Sequence, residues 1–151
     1  MIRQPDEDVD AWARAAIGAA IEVHSLLGPG LLEALYEEAL CVEMAIRSIP
    51  FTRQVPVPMT YKGREIGLGR PDILVADALV VELKTVEALA PVHTAQVLSY
   101  LRATGYQLGL LINFNVSALK QGGIKRIVLT KRPETSIATT NISNNHNPIK
   151  Q

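Results

Sequence analysis

The 151-residue sequence has a single cysteine, no net charge and no apolar run that approaches the ~18 residues needed to cross a bilayer. A lone Cys41 excludes an intrachain disulfide and a cysteine-cluster metal site, and within a helical pattern it reads as small core filler. Met1 to Asp10 is acidic and has no apolar signal core, so export is not expected and a cytoplasmic location is. No internal repeat and no glycine-rich phosphate loop is found. Zero net charge argues against a strong non-specific nucleic-acid binder.

What remains is ordinary globular material, 48% hydrophobic and 20% charged, and long enough for one well-cored domain. We expect a short tail over residues 1–8, a single domain over 9–132 and, in the Thr-, Ser- and Asn-rich 133–151, a disordered tail. Charge is unevenly spread. Residues 1–46 hold nine acids and two bases (−7), and residues 47–151 six acids and thirteen bases (+7). Lys120, Lys125, Arg126, Lys131 and Arg132 form a basic stretch that could meet phosphates. A solvated strand, or simple attraction between the two halves, explains it equally well.

Apolar residues recur with a helical period from Val9 to Leu27, with Asp8 or Asp10 as cap, and Gly28-Pro29-Gly30 ends the run. A second helix is predicted from Leu31 to Arg47, with Leu32, Leu35, Ala39, Val42 and Ile46 as its apolar stripe. Glu33, Glu37 and Glu38 suit the positive end of its dipole. Phe51 to Tyr61 reads as an edge strand carrying Pro56 and Pro58, Lys62-Gly63-Arg64 as a turn, and Glu65 to Gly69 as a return strand. Two short buried strands follow, then a helix from Pro91 to about Ala103 and strands at 106–114 and 124–130. The order α-α-β-β-β-β-α-β-β implies a mixed α/β sheet flanked by helices.

The chemistry concentrates in the two buried strands, Pro71–Asp77 and Leu79–Lys84. Burying charge is costly unless it is paired or binds an ion. Asp72, Glu82 and Lys84 placed among Val, Ile and Leu therefore suggest a site. Side chains alternate along a strand, so Glu82 and Lys84 share a face. In a hairpin, Asp72 joins them only if the loop has an odd number of residues, 76 to 78; a two-residue loop would separate the carboxylates. Two carboxylates suit Mg²⁺ and an ammonium suits developing phosphate charge, the groups phosphodiester hydrolysis needs. The plainer alternative is a Glu–Lys pair on an edge strand. On the following helix, His93, Gln96 and Tyr100 share a face beside the Thr94, Val97, Leu98 and Leu101 stripe. Gln96 and Tyr100 can bond a phosphate or a water there, or serve as boundary residues.

Taken together, Pro71-Asp72, Glu82-x-Lys84 and Gln96-x-x-x-Tyr100 resemble the PD-(D/E)xK nuclease signature and its Q-x-x-x-Y element. Gly30-x-x-Glu33-x-x-Tyr36 resembles the motif of the GxxExxY protein family, as do Glu22 to Gly30 and Gly109 to Phe114. The resemblance spans roughly residues 10–130. It implies a restriction-endonuclease-like core, a central mixed sheet flanked by helices with an N-terminal helical pair. By the same resemblance Asp72 and Glu82 are ligands for Mg²⁺ (or Mn²⁺), Lys84 is the catalytic lysine, Gln96 and Tyr100 assist, and Glu33 is the helical acid that completes the site. His24 and His93 lie nearby or are structural. The expected activity is a metal-dependent nuclease acting on DNA ahead of RNA, with a homodimer or partner protein supplying grip. The rival is a non-catalytic domain of the same fold that binds nucleic acid or protein.

Overall fold

The computed structural model describes residues 5–129, so the expected tail at 133–151, with Lys131 and Arg132, lies outside the described residues. The chain runs α1 (Glu7–Leu27), α2 (Glu33–Ile46), β1 (Phe51–Arg53), β2 (Val57–Tyr61), β3 (Arg64–Gly69), β4 (Ile73–Val75), β5 (Leu79–Lys84), α3 (Pro91–Thr104), β6 (Leu108–Asn113) and β7 (Ile124–Val128). α1 begins two residues earlier than Val9, because Glu7, Asp8 and Asp10 favour the positive end of its dipole. Neither Asp8 nor Asp10 is the cap. Asp6 holds that position, and its carboxylate is occupied elsewhere, accepting from Gln107 Nε2 at 2.9 Å.

The expected strand from Phe51 to Tyr61 is broken in two. Gln54 adopts φ 51°, which interrupts the extended chain, so β1 pairs with β4 while β2 pairs with β3 in a separate two-stranded ribbon. The main sheet has the order β1-β4-β5-β6-β7. β5 and β6 are parallel, joined through α3, and their other neighbours are antiparallel. A parallel pair needs such a crossover, and the helix then covers the sheet.

Strand alternation sorts the core into two layers. Leu79, Val81, Leu83, Leu108, Leu110 and Ile112 pack on the α1–α2 pair, together with Ala13, Ala16, Ala20, Tyr36, Leu40 and Met44. Val80 and Leu111 pack on the other face against Val97, Tyr100 and Leu101 of α3. Each fully buried Leu or Ile contributes roughly 1.5–3 kcal/mol, which makes this three-layer burial the main source of stability. α3 sits very close to β6, since a Cβ built on Gly109 would lie 2.4 Å from Val97 Cγ1.

One expectation is overturned. Leu32, Leu35, Val42 and Ile46 do not face the core, being exposed by 76, 51, 53 and 71%; of the predicted stripe only Ala39, half-buried, packs against it. α2 instead buries Tyr36, Leu40, Cys41 and Met44. The helix carries two apolar stripes on different sides, and periodicity alone cannot say which one meets the sheet.

Candidate active site

The β4–β5 hairpin decides whether the acids converge. Val75 pairs with Leu79, Leu74 with Val80 and Ile73 with Val81, leaving a three-residue loop at 76–78. The odd loop places Asp72 across from Glu82 on the α3 face. The two residues are laced together by the backbone: the Asp72 amide donates to Glu82 Oε1 at 2.7 Å, and the Leu83 amide donates to Asp72 Oδ2 at 2.8 Å. Each carboxylate is thus fixed by one oxygen, with Asp72 Oδ1 held more loosely by Gln54 Nε2 at 3.3 Å.

Crowding three acids at a sheet end has an electrostatic cost. Glu82, only 3% exposed, is pushed up to about 8, first by burial and then by the neighbouring Asp72 charge; the Asp72 amide and Lys84 pull it the other way. Burial also raises Asp72, opposed chiefly by the Leu83 amide. Glu33, on α2, is raised by burial and then by Asp72, so it lies within electrostatic reach of the pair. Carboxyls raised by burial and by neighbouring acids, clustered at one sheet end, mark a candidate functional site.

Lys84, at the end of β5, donates to Gln96 Oε1 at 3.1 Å, and Gln96 Nε2 donates to Tyr100 Oη at 3.4 Å. Gln96 and Tyr100 therefore join the lysine in one hydrogen-bonded row along α3. The Tyr100 phenol is raised by burial and by the Glu82 charge. His93 does not belong to the row. Its Nδ1 accepts from the Ala90 amide at 2.9 Å, closing the first turn of α3. His24 is structural too, its Nε2 bonded to the Phe114 carbonyl at 3.1 Å.

The Gly30-x-x-Glu33-x-x-Tyr36 spacing has a physical reading. Gly30 adopts φ 103°, which favours glycine, as the chain turns from α1 into α2. Tyr36 is fully buried, stacks on Phe114 at 4.5 Å and hydrogen-bonds the Gly28 carbonyl and the Leu31 amide. With the turn pinned at both ends, α2 is held where Glu33 reaches the pair.

Three residues at the site were not anticipated. Glu37 accepts from Gln54 Nε2 at 2.6 Å and from Arg53 at 2.9 Å, and its charge raises Asp72. It stands one helical turn after Glu33, and that i, i+4 spacing was the available signal. Gln54 bridges Glu37 to Asp72, and only the kink after β1 brings it there. Buried Asn113, paired in register with Lys84, accepts from the Val86 and Asn115 amides at 3.1 Å each and donates to the Val86 carbonyl at 2.9 Å. It clamps the loop leading from Lys84 to α3.

The basic stretch expected at 120–132 is not one patch where it is described. Lys125 and Arg126 project to opposite faces of β7; Lys125 bonds Thr94 and Arg126 pairs with Asp10. With Arg53 held by Glu37 and Glu38, several charges of the two halves do attract one another.

The donor set suits a hard divalent cation: two carboxylates held by backbone amides, oxygen-only, and raised first by burial and then by neighbouring acids. Among the described residues, no three His, Cys, Asp or Glu side chains are grouped closely enough to hold an ion unaided. A pair of carboxylates that leaves remaining positions to water and substrate is the usual Mg²⁺ arrangement.

Helices on both faces of a mixed sheet, with an acid–acid–lysine hairpin at one end, define the restriction-endonuclease-like class. The chain belongs to the PD-(D/E)XK nuclease superfamily, whose family profile it matches over residues 10–127. No curated protein matches the chain, and no solved structure does.

Proposed function

We propose that the protein is a divalent-metal-dependent nuclease that hydrolyses phosphodiester bonds of DNA, with RNA second. The observation that carries the reading is the reciprocal lacing of Asp72 and Glu82 by each other's strand amides, with Lys84 on the same face. A structural Glu–Lys surface pair has no need of a buried, amide-held second acid. Asp72 and Glu82 would hold Mg²⁺ or Mn²⁺, with Glu33 adding negative charge. Bound there, the ion would supply Lewis-acid polarisation of the phosphoryl group.

The side chains of the chain do the rest. Water attacks phosphorus, the P–O ester bond breaks and a proton passes to the departing oxygen. Lys84, oriented by Gln96, donates to a non-bridging oxygen as charge builds on it. Because Gln96 donates to Tyr100 Oη, the phenol hydrogen remains to bond the phosphate. Asn113 keeps the connecting loop in place, and with it the spacing between Lys84 and α3.

Lys62 and Arg64, at the turn of the β2–β3 ribbon that leads into Asp72, are exposed cations suited to the phosphate backbone. The Gly30, Glu33 and Tyr36 spacing supports placement in the GxxExxY group, and the activity is read as cytoplasmic. The test is cleavage of single- and double-stranded DNA and RNA with Mg²⁺, Mn²⁺ or EDTA, beside Asp72→Asn and Lys84→Ala. Metal-dependent cleavage that falls by about 10³-fold or more in both variants is expected. Cleavage unchanged in both would refute the site. No cleavage by the wild type, with or without metal, would favour the non-catalytic binding domain.

A further inference from the structure

The outward stripe of α2 asks for a partner. Leu32 at the N-cap, then Leu35, Ala39, Val42 and Ile46 along the helix are spaced three, four, three and four apart, the a/d repeat that packs one helix against another. Ala39 is half-buried at the inner edge of this stripe, touching the core, while the other four are exposed. The core-facing side of the same helix is already filled by Tyr36, Leu40, Cys41 and Met44. A contiguous exposed apolar stripe on a helix, rimmed by charged residues, marks a contact surface. We infer that α2 is the interface of a homodimer, packed antiparallel on the α2 of a second copy about a two-fold axis at Ala39.

The stripe itself points to a second copy. It is nearly symmetric about Ala39, so an antiparallel mate opposes Leu32 to Ile46 and Leu35 to Val42, large against large. The one small residue falls on the axis, where the backbones must approach. An isologous interface demands this self-complementarity.

The charges agree. Glu38 and Glu43 flank the stripe, and each is neutralised within its own protomer, by Arg53 and by Arg47. Neither then repels its symmetry mate. The four large side chains, at 51–76% exposure, present roughly 450 Å², more than half of the about 800 Å² each partner gives to a standard interface. Ala34, Ala45 and Glu38, also exposed, extend that area at the rim.

The inference does not depend on nuclease activity, and its test reads no cleavage. Sedimentation equilibrium of the full chain is expected to show a dimer at micromolar concentration. Leu35→Glu/Val42→Glu alters only exposed positions. It should raise the dissociation constant by about 100-fold or more, because two charges enter an apolar seam, while the far-UV circular dichroism stays unchanged. Ala39→Cys should form an oxidised covalent dimer, whereas Leu32→Cys alone should not, and wild type with its buried Cys41 should not. A monomeric wild type at about 100 μM would overturn the proposal, as would a dimer indifferent to the double substitution. A dimer in which Leu32→Cys cross-links and Ala39→Cys does not would overturn the antiparallel register.

Discussion

The raised carboxyl of Glu82 makes the metal-free protein pH-sensitive in an unusual direction. Its pKa moves from 4.5 in the unfolded chain to about 8 in the fold, so between those values the folded state binds the proton and the unfolded state does not. Stability from this group is complete below about pH 4.5 and is lost progressively as pH rises to about 8. At about 1.4 kcal/mol per pH unit, the full shift corresponds to about 5 kcal/mol, an upper bound because Asp72 and Glu82 share the repulsion. For a domain of this size that is a fall in Tm of about 10–20 °C from pH 5 to pH 8.5 in EDTA. Asp72 and Glu33, also raised, act in the same direction. Glu82→Gln should remove most of the fall. On the proposed metal-dependent reading, added Mg²⁺ should restore wild type at pH 8.5 but not the variant, since the ion competes with the proton for the carboxylate. Thermal unfolding followed by circular dichroism across pH 5–9 reads all three. A wild-type Tm that is flat or rises over this range, or a variant with the wild-type slope, would refute the burial argument.

Three further outcomes follow from the geometry. Ala76 sits in the hairpin loop with φ 51°, so Ala76→Gly should stabilise by about 1 kcal/mol in urea unfolding. Gly109→Ala places a methyl group against Val97 and should destabilise by about 1–3 kcal/mol; adding Val97→Ala should recover part of the loss, a coupling a double-mutant cycle measures. Asn113→Ala strips the 85–90 loop of its anchors. It should cost about 1–3 kcal/mol, speed amide exchange at Val86 and, on the nuclease reading, lower cleavage more than Tm alone explains.

Much of the site was legible because it is local. Asp72, Glu82 and Lys84 lie within thirteen consecutive residues, strand alternation fixes the shared face of Glu82 and Lys84, and whether Asp72 joins them turns on the loop being odd. The register from Val75–Leu79 to Ile73–Val81 answers it. Gln96 and Tyr100 were legible for the same reason, being one helical turn apart on an element only a few residues downstream. The mixed sheet with flanking helices likewise followed from periodicity and from the alternation of strands and helices.

Long-range contacts were not legible. Gln54 reaches Asp72 only because a positive φ splits one predicted strand into two, a backbone choice that a sequence of ordinary strand residues does not announce. Asn113 meets Val86 because β5 and β6 are parallel neighbours, a pairing fixed by the packing of α3. α2 shows the limit most clearly. Its sequence specifies two apolar stripes by spacing alone, while the assignment of Tyr36, Leu40 and Met44 to the core belongs to tertiary structure. That choice is made by the Tyr36 ring stacking on Phe114 and bonding the Gly28 carbonyl, contacts between segments far apart in the chain. Local spacing determines what each element can present; only the packed fold, in which every face competes for the same buried volume, decides what it does present.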